Sequence, residues 1–204
     1  MARILQIVNN RALAGGIGTA IDYLAKPSLA REYSTAVLTW QADELGREGH
    51  EIIKRENATF DDVIQSSRFL AQELAQYDLL HIHSIPSYRI LEVIDILQQE
   101  GRCPKIVNTC HSSVKKELVA HLERSRGTPD GNDVEEMIQQ GMMDCSGKFM
   151  DTYWGSAIYR QERVMTLADK VQHMNEAYRD NIITEYRAEE VRKKHMLLSI
   201  MELV

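Results

Sequence analysis

The sequence predicts an α/β protein with a doubly wound, mostly parallel sheet flanked by helices, and two observations support this prediction. Short, β-branched apolar runs recur along the chain and helical patterns separate them, a spacing typical of parallel β-α-β units. The runs are apolar almost throughout, which indicates that both faces of the sheet are covered. The fold class is therefore Rossmann-like.

Six runs have the length and composition of strands. They lie at residues 3–8, 34–40, 50–55, 78–84, 105–111 and 170–175. We expect the helix between the fourth and fifth strands to end at Gly101, because glycine commonly terminates helices. Residues 156–204 contain neither glycine nor proline. We therefore expect residues 175–204 to form one or two helices, which gives the fold a helical C-terminal segment.

Length and composition limit the classes of protein. The 204 residues, 44% hydrophobic, suffice for one ordinary domain, and we expect residues 1–204 to form a single one. The net charge of −6 disfavours nucleic acid as a partner, because nucleic acid selects a basic face. No run approaches the apolar length of a membrane span. Three irregularly spaced cysteines without a CxxC pair disfavour a disulfide framework or a zinc site, so we expect a cytoplasmic protein.

Residues 13–21, LAGGIGTAI, place three glycines between the first strand and the first helix. A dinucleotide site would need glycine where Ile21 stands and an acid where Trp40 stands, so an NAD- or FAD-dependent enzyme is disfavoured. The GK[ST] pattern of a P-loop does not follow the glycines. Two interpretations stay open. The glycines form a tight turn, or they let a phosphate or a sugar approach the backbone.

Polar residues stand where two strands end, and ligands of such sheets bind at the carboxyl ends of the strands. These residues are His83, Ser84, His111, Ser112 and Ser113. We expect His81 and His83 to lie on opposite faces of the fourth strand. His81 would lie in the core, and His83 would lie at the rim, the edge of the sheet formed by the carboxyl ends of the strands. A metal ion held by His83 and His111 is disfavoured, because no carboxylates stand nearby in the sequence.

Four segments follow one another in an informative order. They are ILQIVNNRALAGGIGTAIDYL, then DLLHIHS, then IVNTCH, and finally ERVMTLADKVQHMNEAYRDNI. Their order and spacing, across about residues 3–187, resemble the N-terminal domain of GT-B-fold retaining glycosyltransferases of family four, the glycogen-synthase-like family.

This resemblance implies transfer of a sugar from a nucleotide-sugar donor, which is a substrate, with no cofactor and no metal. It implies donor contacts at Gly15, Gly16 and Gly18, where side chains would collide with the diphosphate and the sugar. It implies that His111 is the catalytic residue at the transfer point. It places acceptor contacts at the other rim residues, His83, Ser84, Ser112 and Ser113.

In that family a second, C-terminal domain holds most of the donor, and the motifs of that domain are not found in this sequence. We expect the chain to need that domain or a partner chain, and to lack efficient transferase activity alone. The terminal segment MLLSIMELV is hydrophobic at seven of nine positions, which predicts packing on this domain, on the second domain or on another copy in a homodimer. A non-catalytic binding or assembly module with the same fold is the main rival interpretation.

The helix expected at 114–126 has an apolar stripe formed by Val114, Leu118 and Leu122, with basic residues on either side. We favour packing of this stripe on the core. The alternative is peripheral contact with the inner membrane face and a lipid-linked acceptor. The acceptor, a sugar or a lipid-linked sugar, is expected to be selected by the irregular segment 112–155.

Overall fold

The structure is a computed structural model that describes residues 2–8, 16–24, 33–39, 51–54, 60–126, 153–173, 175–185 and 195–197. The strands in these ranges are β1 (Ala2–Val8), β2 (Tyr33–Thr39), β3 (Glu51–Lys54), β4 (Leu79–His83), β5 (Lys105–Cys110), β6 (Lys170–His173) and β7 (His195–Leu197). The helices are α1 (Gly16–Leu24), α2 (Phe60–Leu74), α3 (Tyr88–Gln99), α4 (Val114–Arg126), α5 (Tyr153–Leu167) and α6 (Glu176–Glu185). The predictions at Gly15, at Trp40 and for most of the segment 112–155 lie outside the described residues.

All seven described strands belong to one parallel sheet in the order β3-β2-β1-β4-β5-β6-β7. The predicted doubly wound, Rossmann-like fold is therefore confirmed. The chain runs from β1 outward through β2 to β3 and then returns to place β4 on the other side of β1. This reversal opens a crevice at the carboxyl ends of β1 and β4, which is where such sheets bind ligands.

The six predicted strands are present, with ends displaced by one or two residues. The prediction of helix to the end of the sequence is wrong in part, because His195–Leu197 form β7 beside β6. The lack of glycine and proline permits a long helix, but it does not distinguish helix from strand and does not prevent the chain from turning. Without a neighbour, residues 171–173 of β6 would leave backbone N–H and C=O groups unpaired at the edge of the sheet. Pairing with β7 satisfies these groups.

The two faces of the sheet differ in their partners. The larger apolar core lies on one face and joins the sheet to α2, α3, α4, α5 and α6. Its strand residues are Leu5, Ile7, Ala36, Leu38, Leu80, Ile82, Ile106, Cys110 and Val171. On the opposite face Ile17 and Ile21 of α1 pack against Val8 and Val37. Strand residues alternate between the faces, so each strand contributes to both.

Two acids of the sequence motifs fix the amino ends of strands. Asp78 accepts a hydrogen bond from the Arg3 amide at 2.7 Å, and its own amide donates to the Arg3 carbonyl at 2.9 Å. Asp169 makes the same pair with Ile106, at 2.8 and 2.9 Å. These bonds lie at the end of the sheet opposite the crevice. Asp78 and Asp169 therefore set strand register and belong to the fold rather than to a site.

The predicted end of α3 at Gly101 is confirmed. Gly101 has a φ of 65°, a left-handed conformation that glycine adopts without a Cβ penalty. Its amide donates to the Gln98 carbonyl at 3.1 Å, and the Arg102 amide donates to the Leu97 carbonyl at 3.0 Å. These two bonds form a Schellman motif, which satisfies the last carbonyls of the helix and turns the chain toward β5.

Candidate functional site

A small cavity of about 50 Å³ lies where the carboxyl ends of β1 and β4 meet. Its lining consists of Ile7, Val8, His83, Ile85, Pro86, Ser87 and Arg160. Arg160 reaches this place from α5 and donates from Nη1 to the Pro86 carbonyl at 2.8 Å. The cavity thus combines apolar walls with an imidazole, a hydroxyl and a guanidinium at the point where the strand order reverses.

Polar side chains cross the sheet face on the α1 side. Five of them, Gln6, His81, His83, Thr109 and Gln172, form what we call the polar row. Strand pairing places them together, since Gln6 is in register with His81 and Thr109 is in register with both His83 and Gln172. In-register residues of parallel strands point to the same face, so one polar surface spans four strands.

His83 connects the polar row to the rim. The buried Nε2 of His83 lies 2.7 Å from Gln6 Oε1, and its Nδ1 lies 3.3 Å from Nε2 of His111. The rings of His83 and His111 are stacked with centroids 5.6 Å apart. The structure therefore brings the two rim histidines together, and it adds Gln6 of β1, which was not predicted from the sequence.

The prediction that His81 and His83 lie on opposite faces is wrong. Their ring centroids are 4.2 Å apart on the same face, because residues two apart in a strand point the same way. His81 Nε2 lies 2.7 Å from Thr109 Oγ1, and that hydroxyl donates to Gln172 Oε1 at 2.9 Å. His81 is thus a half-buried member of the polar row and lies outside the apolar core.

Burial keeps the three imidazoles uncharged near neutral pH. It lowers the pKa of His81 from 6.5 to about 4, with a smaller contribution from His111. Burial, then His81 and His111, lower the pKa of His83, and burial lowers the pKa of His111. Neutral imidazoles donate one hydrogen bond and accept another. Among the described residues, no group of three His, Cys, Asp or Glu side chains is arranged to hold a metal ion.

The turn after His83 has a strained backbone. Ser84 has a φ of 61°, which is rare for a residue with a side chain. The fully buried Asn108 holds this turn, since its Nδ2 donates to the carbonyls of Ile82 and Ser84 at 3.0 Å each. Cys110 donates to Asn108 Oδ1, and burial raises the pKa of this thiol to about 12, so it stays protonated. Asn108 therefore fixes the position of the rim.

Ser112 and Ser113 lie between β5 and α4, and a buried glutamine fixes them. Gln161 of α5 donates to the Ser112 carbonyl at 2.6 Å and accepts from the Val114 amide at 2.9 Å. The Ser113 hydroxyl accepts from the Lys116 amide at 3.3 Å, which makes Ser113 the N-cap of α4. Ser113 is buried and Ser112 is half-buried. The acceptor contacts implied for both stay predictions.

The described glycines of the loop differ in environment. Gly16 is exposed at the start of α1, and a Cβ built there would meet no heavy atom of the described residues within 4 Å. Its φ is not positive, in contrast to Gly101. Among the described residues, neither packing nor backbone conformation requires glycine at this position, and the rest of the loop, with Gly15, lies outside the described residues. Gly18 is buried within α1.

The part of the apolar stripe of α4 whose side chains are described lies inward, as favoured from the sequence. Val114 and Leu118 belong to the larger core and are buried. These two side chains are therefore not available for contact with a membrane. Within the described part of the chain, no helix has the length and apolar character to cross a membrane.

Comparison with known proteins gives a likeness in structure. No family model and no curated protein matches the sequence. A glycosyltransferase from Rickettsia africae ESF-5 is 13% identical with a TM-score of 0.56, and the match covers 97% of this chain and 42% of that one. The lipopolysaccharide outer core galactosyltransferase WaaB is 11% identical, with a TM-score of 0.54 and coverages of 95% and 44%.

A third similar structure is a ugt transferase from Siraitia grosvenorii in complex with UDP. It is 11% identical with a TM-score of 0.51, and the match covers 98% of this chain and 48% of that one. The chain thus spans less than half the length of each of these three proteins. At such low identity the likeness establishes the fold, which is one that glycosyltransferases share.

Proposed function

We propose that the chain is the acceptor-side, N-terminal domain of a retaining GT-B glycosyltransferase of family four. It would take part in moving a sugar from a nucleotide-sugar donor to a sugar or lipid-linked acceptor. The observation that supports this most strongly is the match of nearly the whole chain to three glycosyltransferases. One of them is in complex with UDP, which supports a nucleotide-linked donor.

The rim residues suit this chemistry. Gly16 leaves open space at the start of α1, where backbone N–H groups favour an anionic group such as a diphosphate. His111 is half-buried beside His83, and its neutral ring can bond a sugar hydroxyl. The His83 and His111 rings are uncharged near neutral pH, because burial lowers the pKa of both. His111 would therefore position and stabilise the reacting groups by hydrogen bonding.

A second domain or a partner chain would complete the site. The three similar glycosyltransferases are each more than twice as long as the matched region. In the proposed assembly the other half holds the nucleotide, and this chain contacts the diphosphate and the sugar. The isolated chain should therefore bind donors weakly, through their sugar and phosphate groups, and should not turn over efficiently.

Saturation-transfer NMR on the 204-residue chain tests this proposal, with UDP-glucose, UDP-galactose, GDP-mannose and NAD⁺ as probes. At least one nucleotide sugar should receive saturation, and its sugar protons should receive more than its base. Gly16→Val should remove the signal by filling the open space. His111→Ala should weaken binding about 2- to 12-fold, the ratio that corresponds to one hydrogen bond.

His81→Ala is the matched control, because it removes another imidazole of the same sheet face, one whose hydrogen bond goes to Thr109 and which is not a proposed ligand contact. Its folded fraction should bind like the unmodified chain. Signals from NAD⁺ alone, or from no nucleotide sugar, would contradict the proposal. Binding without turnover after the partner domain is supplied would instead identify the non-catalytic binding module.

A further inference from the structure

Two glutamines lie at the two ends of the polar row, on β1 and β6. Each accepts a hydrogen bond that leads, through one further side chain, to a histidine. We propose that Gln6 and Gln172 are positioning residues that decide which ring nitrogen of each site histidine carries the proton. The chemical consequence drawn below rests on the proposed function. The proton positions themselves do not.

The first hydrogen-bonded chain runs from Gln6 to the rim. Gln6 Oε1 can only accept, so the Nε2 of His83, 2.7 Å away, must carry a proton. A neutral imidazole has one N–H, so Nδ1 of His83 is bare and accepts from Nε2 of His111 at 3.3 Å. His111 is then protonated at Nε2 and bare at Nδ1. An amide on the first strand thus fixes the proton of a residue 105 positions later in the sequence.

The second chain runs from Gln172 and also consists of two hydrogen bonds. Gln172 Oε1 accepts the Thr109 hydroxyl proton at 2.9 Å. The Thr109 oxygen must then accept from Nε2 of His81, which lies 2.7 Å away. His81 is therefore also protonated at Nε2. The two chains run side by side on one sheet face, with the His81 and His83 rings 4.2 Å apart, and none of the four bonds described above joins one chain to the other.

The bare Nδ1 of His111 determines what kind of group the site can recognise. A bare ring nitrogen attracts a hydrogen-bond donor and repels a phosphate or carboxylate oxygen. In the proposed transferase His111 therefore meets a sugar hydroxyl, while the phosphates are left to the open backbone at Gly16. With the opposite proton arrangement the same ring would offer an N–H and would favour an anion instead.

Long-range ¹H–¹⁵N spectra of the histidine rings, recorded on the ¹⁵N-histidine-labelled chain at pH 7.5, distinguish the two tautomers. His81, His83 and His111 should each be protonated at Nε2. Gln6→Met removes the acceptor at nearly constant volume. It should shift the tautomer ratio of His111 toward Nδ1–H about 2- to 12-fold, the ratio equivalent to one net hydrogen bond. His81 should not change.

Gln172→Met is the matched control, the same substitution at the other end of the row. It should shift the tautomer of His81 and leave His111 unchanged. Gln6→Glu keeps an oxygen that accepts, so it should preserve Nε2–H on His83, whether or not the carboxylate also protonates the second ring nitrogen. This rescue separates control of the proton from a merely structural role of the side chain.

A proton on Nδ1 of His111 in the unmodified chain would overturn the inference. So would a folded Gln6→Met chain with unchanged tautomers, or an equal effect of Gln172→Met on His111. If Gln6→Met does not fold, the spectra of the unmodified and Gln6→Glu chains decide the matter, because His83 must have Nε2–H in both. The samples contain no sugar or nucleotide, so a failure of donor binding would leave this test untouched.

Discussion

The two faces of β4 and β5 use the same backbone for different purposes. On one face Leu80, Ile82 and Ile106 are buried in the larger apolar core. On the other face His81, His83 and Thr109 are joined to partners by hydrogen bonds. Alternate side chains of a strand point to opposite faces, so the residues on one face can pack in the core and stabilise the fold without those on the other face. In this sheet the remaining positions are available for chemistry.

The largest expected effect separates two adjacent residues of β5. Ile106→Ala removes a fully buried side chain from the core face and should lower the free energy of unfolding by about 2–5 kcal/mol. Val107→Ala removes a half-buried side chain from the opposite face and should lower it by about 1 kcal/mol. Urea unfolding of both variants measures the difference. Equal losses would mean that the two faces are equally important for stability.

Acid should destabilise the protein through the histidines of the polar row. The pKa of His81 is about 4 in the folded chain and 6.5 in its ordinary state, so between these values the unfolded chain binds the extra proton. Stability should therefore be constant above about pH 6.5 and fall as the pH drops toward 4, by up to about 3 kcal/mol from this group. The lowered pKa of His83 acts in the same direction.

Urea midpoints between pH 7.5 and 4.5 measure this loss, with His81→Gln as the control. Glutamine does not titrate, so the variant should lose less stability over the same range. If the urea midpoint of the variant falls as steeply with pH as that of the unmodified chain, the acid effect belongs to groups other than His81.

The contrast between the faces also explains what the sequence could predict. The alternation of apolar runs and helical patterns is local, and it yielded all six predicted strands. The pairing of His81 with His83 was equally available, because it needs only the period of two along a strand. The strand β7 was missed because a three-residue edge strand depends on the pairing offered by β6, which composition does not record.

Gln6, Asn108, Gln161 and Gln172 were missed for a different reason. Each stands in a segment that reads as apolar strand or ordinary helix, and each contacts a partner that is distant in the sequence. Gln6 and His83 are 77 residues apart, and Gln161 and Val114 are 47 apart. The available signal was the presence of a polar side chain within a run expected to be covered on both faces, since a buried polar group requires a partner.

The smallest expected effects are those of substitutions at two glycines. Their comparison tests whether the glycine at the carboxyl edge of the sheet serves ligand binding rather than the fold. Gly101→Ala forces a side chain into the left-handed region and should lower the free energy of unfolding by about 1–2 kcal/mol. Gly16→Ala meets open space at the start of a helix and should raise it by up to about 1 kcal/mol. Urea unfolding compares both variants with the unmodified chain.

If Gly16→Ala stabilises the fold and also weakens binding of a nucleotide sugar, this glycine serves the ligand at the expense of stability. A stabilised variant with undiminished binding would remove Gly16 from the donor site and leave the rim histidines as the proposed point of contact. A destabilised variant would return Gly16 to the fold, as a residue that the turn before α1 requires.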